Sequence, residues 1–210
     1  EVETPGCAFF DYDGDGRPDI LLLNGADWPE VKSGRKHTLV ALYHNEGNGK
    51  FKDVTAGSGL DIEMHTMGVA VGDYDNDGKD DLYITCLLGP SHLFHNEGNG
   101  KFKDVTAQAG VGNEGHWGSS AVWVDYDHDG RLDVFVCSYV KFRQDGLRYC
   151  KLANNITSNC PPSAYTGTPS LLFHQNKDGT FTNVTKQAGV YIPTGKALSA
   201  ITCDINDFQT

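Results

Sequence analysis

The sequence repeats itself. Three segments match almost letter for letter: LYHNEGNGKFKDVTAGSGL from Leu42, LFHNEGNGKFKDVTAQAGV from Leu93 and LFHQNKDGTFTNVTKQAGV from Leu172. A second unit alternates with them, DYDGDGRPDILLL from Asp11, DYDNDGKDDLYIT from Asp73 and DYDHDGRLDVFVC from Asp125, and a degenerate fourth copy, DINDFQT, starts at Asp204. Tandem self-similarity of this period means that one supersecondary unit is stacked several times, each copy burying its neighbour's apolar face. From each Leu to the next Asp loop there are 31, 32 and 32 residues, but from each Asp loop to the next Leu there are 31, 20 and 47. The shortest gap defines the unit. Relative to it, about 11 residues are inserted around Asp27 to Lys36 and about 27 around Tyr139 to Pro162. A connection that accepts insertions at one fixed place lies on a common surface of the array.

Within a unit the pattern is strand-like. Ile20 to Leu23, Leu82 to Thr85 and Val134 to Cys137 are short apolar runs directly after the Asp loops, with no room for a helix. Asn48-Gly49, Asn99-Gly100 and Asp178-Gly179 lie between apolar segments, and these dipeptides tolerate the positive φ of a tight hairpin. Each unit therefore reads as strand, Asp loop, strand, variable connection, strand, hairpin, strand. Four antiparallel strands in about 50 residues, in tandem, make an all-β fold of β-propeller blades. The expected boundaries are about 6–60 for blade 1, 66–111 for blade 2, 118–190 for blade 3 with its insertion at 139–169, and 197–210 for the start of a fourth.

The net charge of −11 excludes a phosphate-backbone partner, which requires a basic footprint. Of the 28 acids, 21 are Asp and 7 are Glu, a skew that points to turns and oxygen-ligand loops rather than helical surfaces. Apolar runs of about four residues are far short of the roughly 20 that cross a bilayer, and residues 1–19 contain no secretory apolar core. No membrane span is expected, and the chain reads as one that begins after any targeting peptide.

The Asp loops have the form D-x-D-x-D-G-x-x-D. Oxygens at positions 1, 3 and 5 converge when the chain curls round one centre, Gly at position 6 permits the turn, the carbonyl at 7 points inward and Asp at 9 closes the shell. Hard oxygen donors select a hard cation such as calcium. Each nine-residue window holds at least four Asp, a concentration of like charge that a cation neutralises; the alternative is that the loops are turns without an ion. An EF-hand needs Glu at position 12 and flanking helices, whereas position 12 here is Leu22, Ile84 and Val136. Three divalent ions would bring the charge from −11 to −5. The fourth copy has Phe208 at position 5 and is not counted as a site.

The motifs DYDGDGRPDILLLNG, VAVGDYDNDGKDDLYIT and AVWVDYDHDGRLDVFVCSYV, with LFHNEGNGKFKDVT between them, resemble FG-GAP (integrin-α-like, VCBS-type) propeller repeats. LFHQNKDGTFTNVTKQAGV after a Cys-containing insertion is most similar to the ASPIC/UnbV, cartilage acidic protein-like type. The resemblance spans essentially the whole chain. It implies one calcium ion at Asp11, Asp13, Asp15 and Asp19 with the Arg17 carbonyl, and a second at Asp73, Asp75, Asp77 and Asp81 with the Lys79 carbonyl. A third is implied at Asp125, Asp127, Asp129 and Asp133 with the Arg131 carbonyl. Such propellers close with about seven blades, so three blades and part of a fourth imply a fragment, or closure by other chains.

Other candidates are weaker. His44, His95 and His174 share one repeat position and His65 and His116 another; one per blade, they are too far apart for a shared metal or triad and read as structural residues. Gly110 to Gly115 matches G-x-G-x-x-G but precedes strand-like sequence rather than opening a helix. With no HExxH, GxSxG or P-loop, nothing calls for catalysis, and the chain is not expected to be an enzyme. Cys150 and Cys160 lie ten residues apart in a core-poor insertion that a crosslink would order, so a disulfide is expected there, the alternative being two free surface thiols. Cys7, Cys86, Cys137 and Cys203 lie in strand-like sequence and are expected to be buried. Asn155 and Asn183 head N-glycosylation sequons. Trp28, Trp117 and Trp123 are candidate sugar platforms by residue type alone, and at least two of them sit beside repeat strands and read as core.

The expected function is therefore that of a non-enzymatic, calcium-binding propeller with about three ions, located outside the cytoplasm (secreted, at the cell surface or periplasmic). Its insertion loops would serve adhesion or recognition of a protein or glycan. The alternatives are a structural subunit of a surface filament or large complex, with neighbouring copies or chains completing the propeller, and an accessory domain of a larger secreted enzyme.

Overall fold

The computed structural model describes residues 6–24, 40–113, 115–141, 149–151 and 157–203. Its strands form three four-stranded antiparallel sheets, each a meander in chain order. The first contains β1 (Cys7–Phe10), β2 (Asp19–Leu22), β3 (Ala41–Gly47) and β4 (Lys50–Asp53); the second contains β5 (Thr66–Gly72), β6 (Asp81–Cys86), β7 (His92–Gly98) and β8 (Lys101–Asp104). The third contains β9 (Gly118–Val124), β10 (Asp133–Ser138), β13 (Leu171–Gln175) and β14 (Phe181–Asn183). Between β10 and β13 the insertion forms a separate two-stranded hairpin, β11 (Tyr149–Lys151) and β12 (Thr157–Asn159), and a 3₁₀ turn at Pro162–Ala164. These sheets are the all-β propeller blades that the repeat implied. A single helical turn, α1 (Thr106–Ala109), follows β8 and ends on Gly110 in the left-handed region.

The local chemistry explains the strand ends. Asn48-Gly49 and Asn99-Gly100 have φ of 55° and 74°, and 53° and 71°, the paired positive values of a tight hairpin whose twist matches its strands. Just before each, a bulge shifts the register between Asn45 and Gly47 and between Asn96 and Gly98.

Packing is between neighbouring sheets. Phe10, Leu21, Leu23 and Leu42 of the first sheet bury against Ile84, Phe94 and Phe102 of the second, and Tyr83 and Leu93 on the other face of the second meet Val134, Val136, Phe173 and Phe181 of the third. The middle sheet is covered on both faces, which is why every residue of β6 is buried and the strand reads as a nearly continuous apolar run. Each fully buried Leu, Ile or Phe contributes on the order of 1.5–3 kcal/mol. Among the described residues nothing packs against the other face of the first sheet: Phe9 is 65%, Phe51 42% and Leu22 38% exposed, while at the same repeat positions Phe102 and Ile84 of the second sheet are buried.

One sequence expectation needs correction. Cys86 and Cys137 are buried, but Cys7 and Cys203 are exposed. Cys7 opens β1 on the first sheet, and Cys203 lies in a segment without regular structure that places little against its side chain. Trp123 packs as a core residue beside its strand, stacking on Tyr74 at 6.1 Å between the second and third sheets. Trp28, most of the first insertion, Asn155 and the fourth Asp loop lie outside the described residues. Among the described residues no helix is long and apolar enough to cross a membrane.

Candidate metal centres

Each Asp loop joins the first strand of its sheet to the second, and all three adopt one backbone. Position 4 is left-handed in every copy (Gly14 φ 74°, Asn76 and His128 φ 58°), and so is the glycine at position 6 (Gly16 84°, Gly78 85°, Gly130 84°). Glycine supplies that conformation freely, and Asn and His are among the other residues that reach it most often. The sequence reading found the need at position 6 and missed the one at position 4, where Gly, Asn and His share only this conformational tolerance.

The hydrogen bonds are equally repeated. The Asp at position 1 accepts two backbone N–H groups, from Asp15 and Gly16 onto Asp11 (3.0 and 2.7 Å), from Asp77 and Gly78 onto Asp73 (3.0 and 2.8 Å), and from Asp129 and Gly130 onto Asp125 (both 3.0 Å). The Asp at position 5 accepts the N–H of position 7, at 2.9 Å for Arg17 to Asp15 and 3.0 Å for Lys79 to Asp77 and Arg131 to Asp129. The side chains of Arg17, Lys79 and Arg131 pair with the same carboxylates.

Position 9 is different in kind. Asp19, Asp81 and Asp133 are each 0% exposed. One oxygen accepts the N–H of the loop's Tyr12, Tyr74 or Tyr126 at 3.2 Å; the other accepts the N–H of Asn45, Asn96 or Gln175 on the third strand at 2.7, 2.7 and 2.8 Å. Burial pushes the Asp81 carboxyl up to about 7, and pushes Asp19 and Asp133 in the same direction. Burial and the loop carboxylates also hold the Tyr12 and Tyr74 phenols at about 12.

The carboxylates converge. Oxygens of Asp11, Asp13 and Asp15, and of Asp73, Asp75 and Asp77, lie within 4.8 Å of one another. Asp13, Asp19 and His44, Asp75, Asp81 and His95, and Asp127, Asp129 and His174 are grouped equally tightly. The sequence reading kept these histidines apart from the loops. They are indeed one per blade, but the pairing of Ile20 with Tyr43, Leu82 with Phe94 and Val134 with Phe173 brings each beside the buried Asp of its own loop. The signal was their recurrence at one repeat position; strand register, which sequence spacing does not reveal, was needed to read it.

The donor set fits a hard divalent cation. Apart from the imidazole, the position-3 carboxylates Asp13, Asp75 and Asp127 have no hydrogen-bond partner among the described residues. His44 Nδ1 and His95 Nδ1 are buried without a hydrogen-bond partner among them. Acceptors left over in a frame that otherwise satisfies its polar groups are what a cation would complete.

Consecutive loops are also joined. Asn96 Nδ2 donates to the carbonyl of Tyr12 in the preceding loop at 2.9 Å, and Gln175 Nε2 donates to that of Tyr74 at 2.8 Å. All four groups are buried.

Comparison with known proteins agrees with this construction. A family model for the FG-GAP-like repeat matches residues 11–84 and 86–136, more than half of the chain and all three complete Asp loops. The chain belongs to the FG-GAP-like repeat family. Among curated proteins, this FG-GAP-like chain is 35% identical to cartilage acidic protein 1 of Mus musculus over 121 residues, 58% of this chain and 17% of that protein. It is 34% identical to the Homo sapiens protein of the same name over 83 residues, 40% of this chain and 13% of that one. For Xenopus tropicalis the identity is 28% over 132 residues, covering 60% and 20%. The matched part is thus a fifth or less of each relative. These matches support the cartilage acidic protein-like type within the FG-GAP repeats that the motifs suggested.

Proposed function

We propose that this chain is a non-enzymatic, calcium-stabilised β-propeller segment acting outside the cytoplasm, with its insertion loops recognising a protein or glycan. The ligands would be the Asp residues at positions 1, 3, 5 and 9 of each loop with the carbonyls of Arg17, Lys79 and Arg131, one ion per loop. The observation that carries the reading is that all three loops converge their carboxylates in one backbone and, apart from the imidazole, leave the position-3 oxygens without a hydrogen-bond partner among the described residues. Millimolar extracellular calcium fills sites of this kind constitutively, so the ions act as structure rather than as a switch.

Topology separates the two roles. In a meander, the first and third connections lie at one end of a sheet and the second at the other. The Asp loops and hairpins therefore occupy one end, and the inserted second connections the opposite one. An ion at a loop stiffens the blade without touching what the insertion binds. The disulfide between Cys150 and Cys160, Cα–Cα 4.9 Å, staples the third insertion and favours an oxidising compartment. The relatives are cartilage acidic proteins by name, and an extracellular role for this acidic chain agrees with that name.

The organisation we propose is one propeller segment with blades at 6–60, 66–111 and 118–190 and a fourth from about 197 onward. Closure, by more of the same protein or by other chains, is favoured by the exposed face of the first sheet, whose counterparts in the second and third are covered by a neighbour. The structural-subunit reading shares this observation. Sedimentation of the chain and of Phe9→Asp separates them: self-association that the substitution abolishes favours assembly.

The calcium reading is tested by elemental analysis of the purified chain, with thermal melts before and after chelation. At 10 mM calcium and a Kd of about 0.1–1 mM, each ion adds roughly 1.4–2.7 kcal/mol, or about 4–8 kcal/mol for three. About three ions per chain and a large drop in Tm on chelation are expected. No bound calcium and an unchanged melt would sink the reading and leave the loops as turns.

A further inference from the structure

His44, His95 and His174 are built into the loops more closely than a packing role requires. The three rings are between 21% and 24% exposed. His44 Nδ1 is 3.2 Å from Asp13 Oδ2 and 3.4 Å from Asp19 Oδ1; His95 Nδ1 is 3.3 Å from Asp75 Oδ2 and 3.2 Å from Asp81 Oδ1. In neither case does the nitrogen meet the geometry of a hydrogen bond to a carboxylate, and it is buried from water. It points between the position-3 and position-9 carboxylates rather than at one of them. His174 Nδ1 lies in the same place but is hydrogen-bonded, at 3.0 Å, to Asp133 Oδ1, and is 3.6 Å from Asp127 Oδ2. Its Nε2, like that of His44, faces the position-5 carboxylate at 3.9 Å.

The rings are held in place. The tyrosine at position 2 meets each imidazole edge-on, Tyr12 with His44 at 6.1 Å and 83°, Tyr74 with His95 at 6.4 Å and 89°, and Tyr126 with His174 at 5.9 Å and 87°. The next residue's N–H is tied to the buried Asp. A side chain oriented three times over by the same neighbours, with a nitrogen aimed among carboxylates, is a preorganised ligand.

We propose that His44, His95 and His174 each supply an Nδ1 ligand to the ion of their own loop, making the three centres mixed nitrogen–oxygen sites that take manganese as well as calcium. This rests on the loops binding a divalent ion. Carboxylate and carbonyl oxygens suit calcium and manganese alike, whereas an imidazole nitrogen favours the transition metal. The histidines therefore set selectivity, and the carboxylates set the charge.

The test loads the full chain with manganese and reads directly coordinated nitrogen by pulsed electron paramagnetic resonance. The same measurement is made on the triple variant His44→Asn, His95→Asn, His174→Asn, whose amide oxygens leave calcium an oxygen donor. A nitrogen coupling is expected in the unaltered chain and none in the variant. Manganese affinity should fall at least roughly tenfold, the lower end of what even outer-sphere partners cost, with calcium affinity nearly unchanged. Manganese bound without nitrogen coupling would overturn the proposal while leaving the Asp loops as metal sites. A coupling that persists in the variant would overturn it too, by assigning the nitrogen elsewhere, for example to His128 in the third loop. Should neither calcium nor manganese bind, the loop reading falls together with this one. If the triple variant does not fold, the unaltered chain's spectrum and the single variant His174→Asn decide: with two of the three imidazoles kept, the nitrogen coupling should weaken without vanishing, and an undiminished coupling would overturn the proposal.

Discussion

Asn96 and Asn45 occupy the same repeat position and provide a comparison internal to the molecule. Asn96 is fully buried; it donates to the carbonyls of Tyr12 at 2.9 Å and Asp80 at 3.1 Å and accepts the N–H of Gly98 at 2.9 Å. Asn45 makes the same two bonds within its own blade, to Pro18 O at 2.9 Å and from Gly47 N at 3.0 Å, but reaches no other loop among the described residues and its donor bond is exposed. In Asn96→Ala the buried Tyr12 carbonyl is left without that donor and Asp80 and Gly98 each lose a partner that water replaces only in part. At about 1–3 kcal/mol for a buried unsatisfied group and about 1 kcal/mol for an ordinary bond, the loss is roughly 2–4 kcal/mol. Asn45→Ala, whose partners are reached by water, should cost no more than about 1 kcal/mol. Urea unfolding of both variants in saturating calcium, and again in chelator, measures the difference. Equal destabilisation within about 0.5 kcal/mol would refute the argument, showing that the amide joining the two loops is worth no more than a solvated turn bond.

Gly59→Ala should be among the most damaging single changes, because Gly59 has φ of 90° and an added Cβ would overlap the Phe102 carbonyl oxygen of the next sheet. A loss of at least about 3 kcal/mol is expected; Gly110→Ala, equally left-handed but with its nearest atom at 3.6 Å, should lose only about 1–2 kcal/mol in the same urea titration. In chelator the chain should become less stable as pH rises from about 5 to 7, above the range in which the lowered carboxyls of Asp53, Asp61, Asp77, Asp104 and Asp178 act with the opposite sign. Asp81 titrates at about 7 when folded, well above its ordinary value, and Asp19 and Asp133 are raised too, so the folded state binds more protons across that window. A metal-free chain that melts higher at pH 7.5 than at pH 5 would contradict this. Replacing Cys150 and Cys160 by Ser opens a ten-residue loop and should cost at most about 3 kcal/mol, with metal content unchanged, since the hairpin belongs to none of the three sheets. A loss of bound metal in that variant would show that the insertion reaches the loops.

Much of this protein was legible before any coordinates. The Asp spacing, the Asn-Gly hairpins and the tandem period are local signals, each set by backbone conformation within a few residues, and together they implied the strand order and the all-β blades. Local chemistry also made Gly16, Gly78 and Gly130 readable as turn residues. What was not legible depends on which strands lie side by side. Cys7 and Cys86 sit in equally apolar sequence, yet one is exposed and the other buried, because among the described residues only the middle sheet has neighbours on both faces. The amides of Asn96 and Gln175 look like those of any polar strand residue until the next blade is placed against them. His44 lies 25 residues beyond Asp19, and nothing in that interval says they meet; the register of β2 with β3 alone decides it. Sequence by itself thus determined the unit and its loops, since those rest on contacts between near neighbours in the chain. Tertiary structure decided the environment of each carboxylate and imidazole, because burial and approach across strands depend on register and on the neighbouring blade.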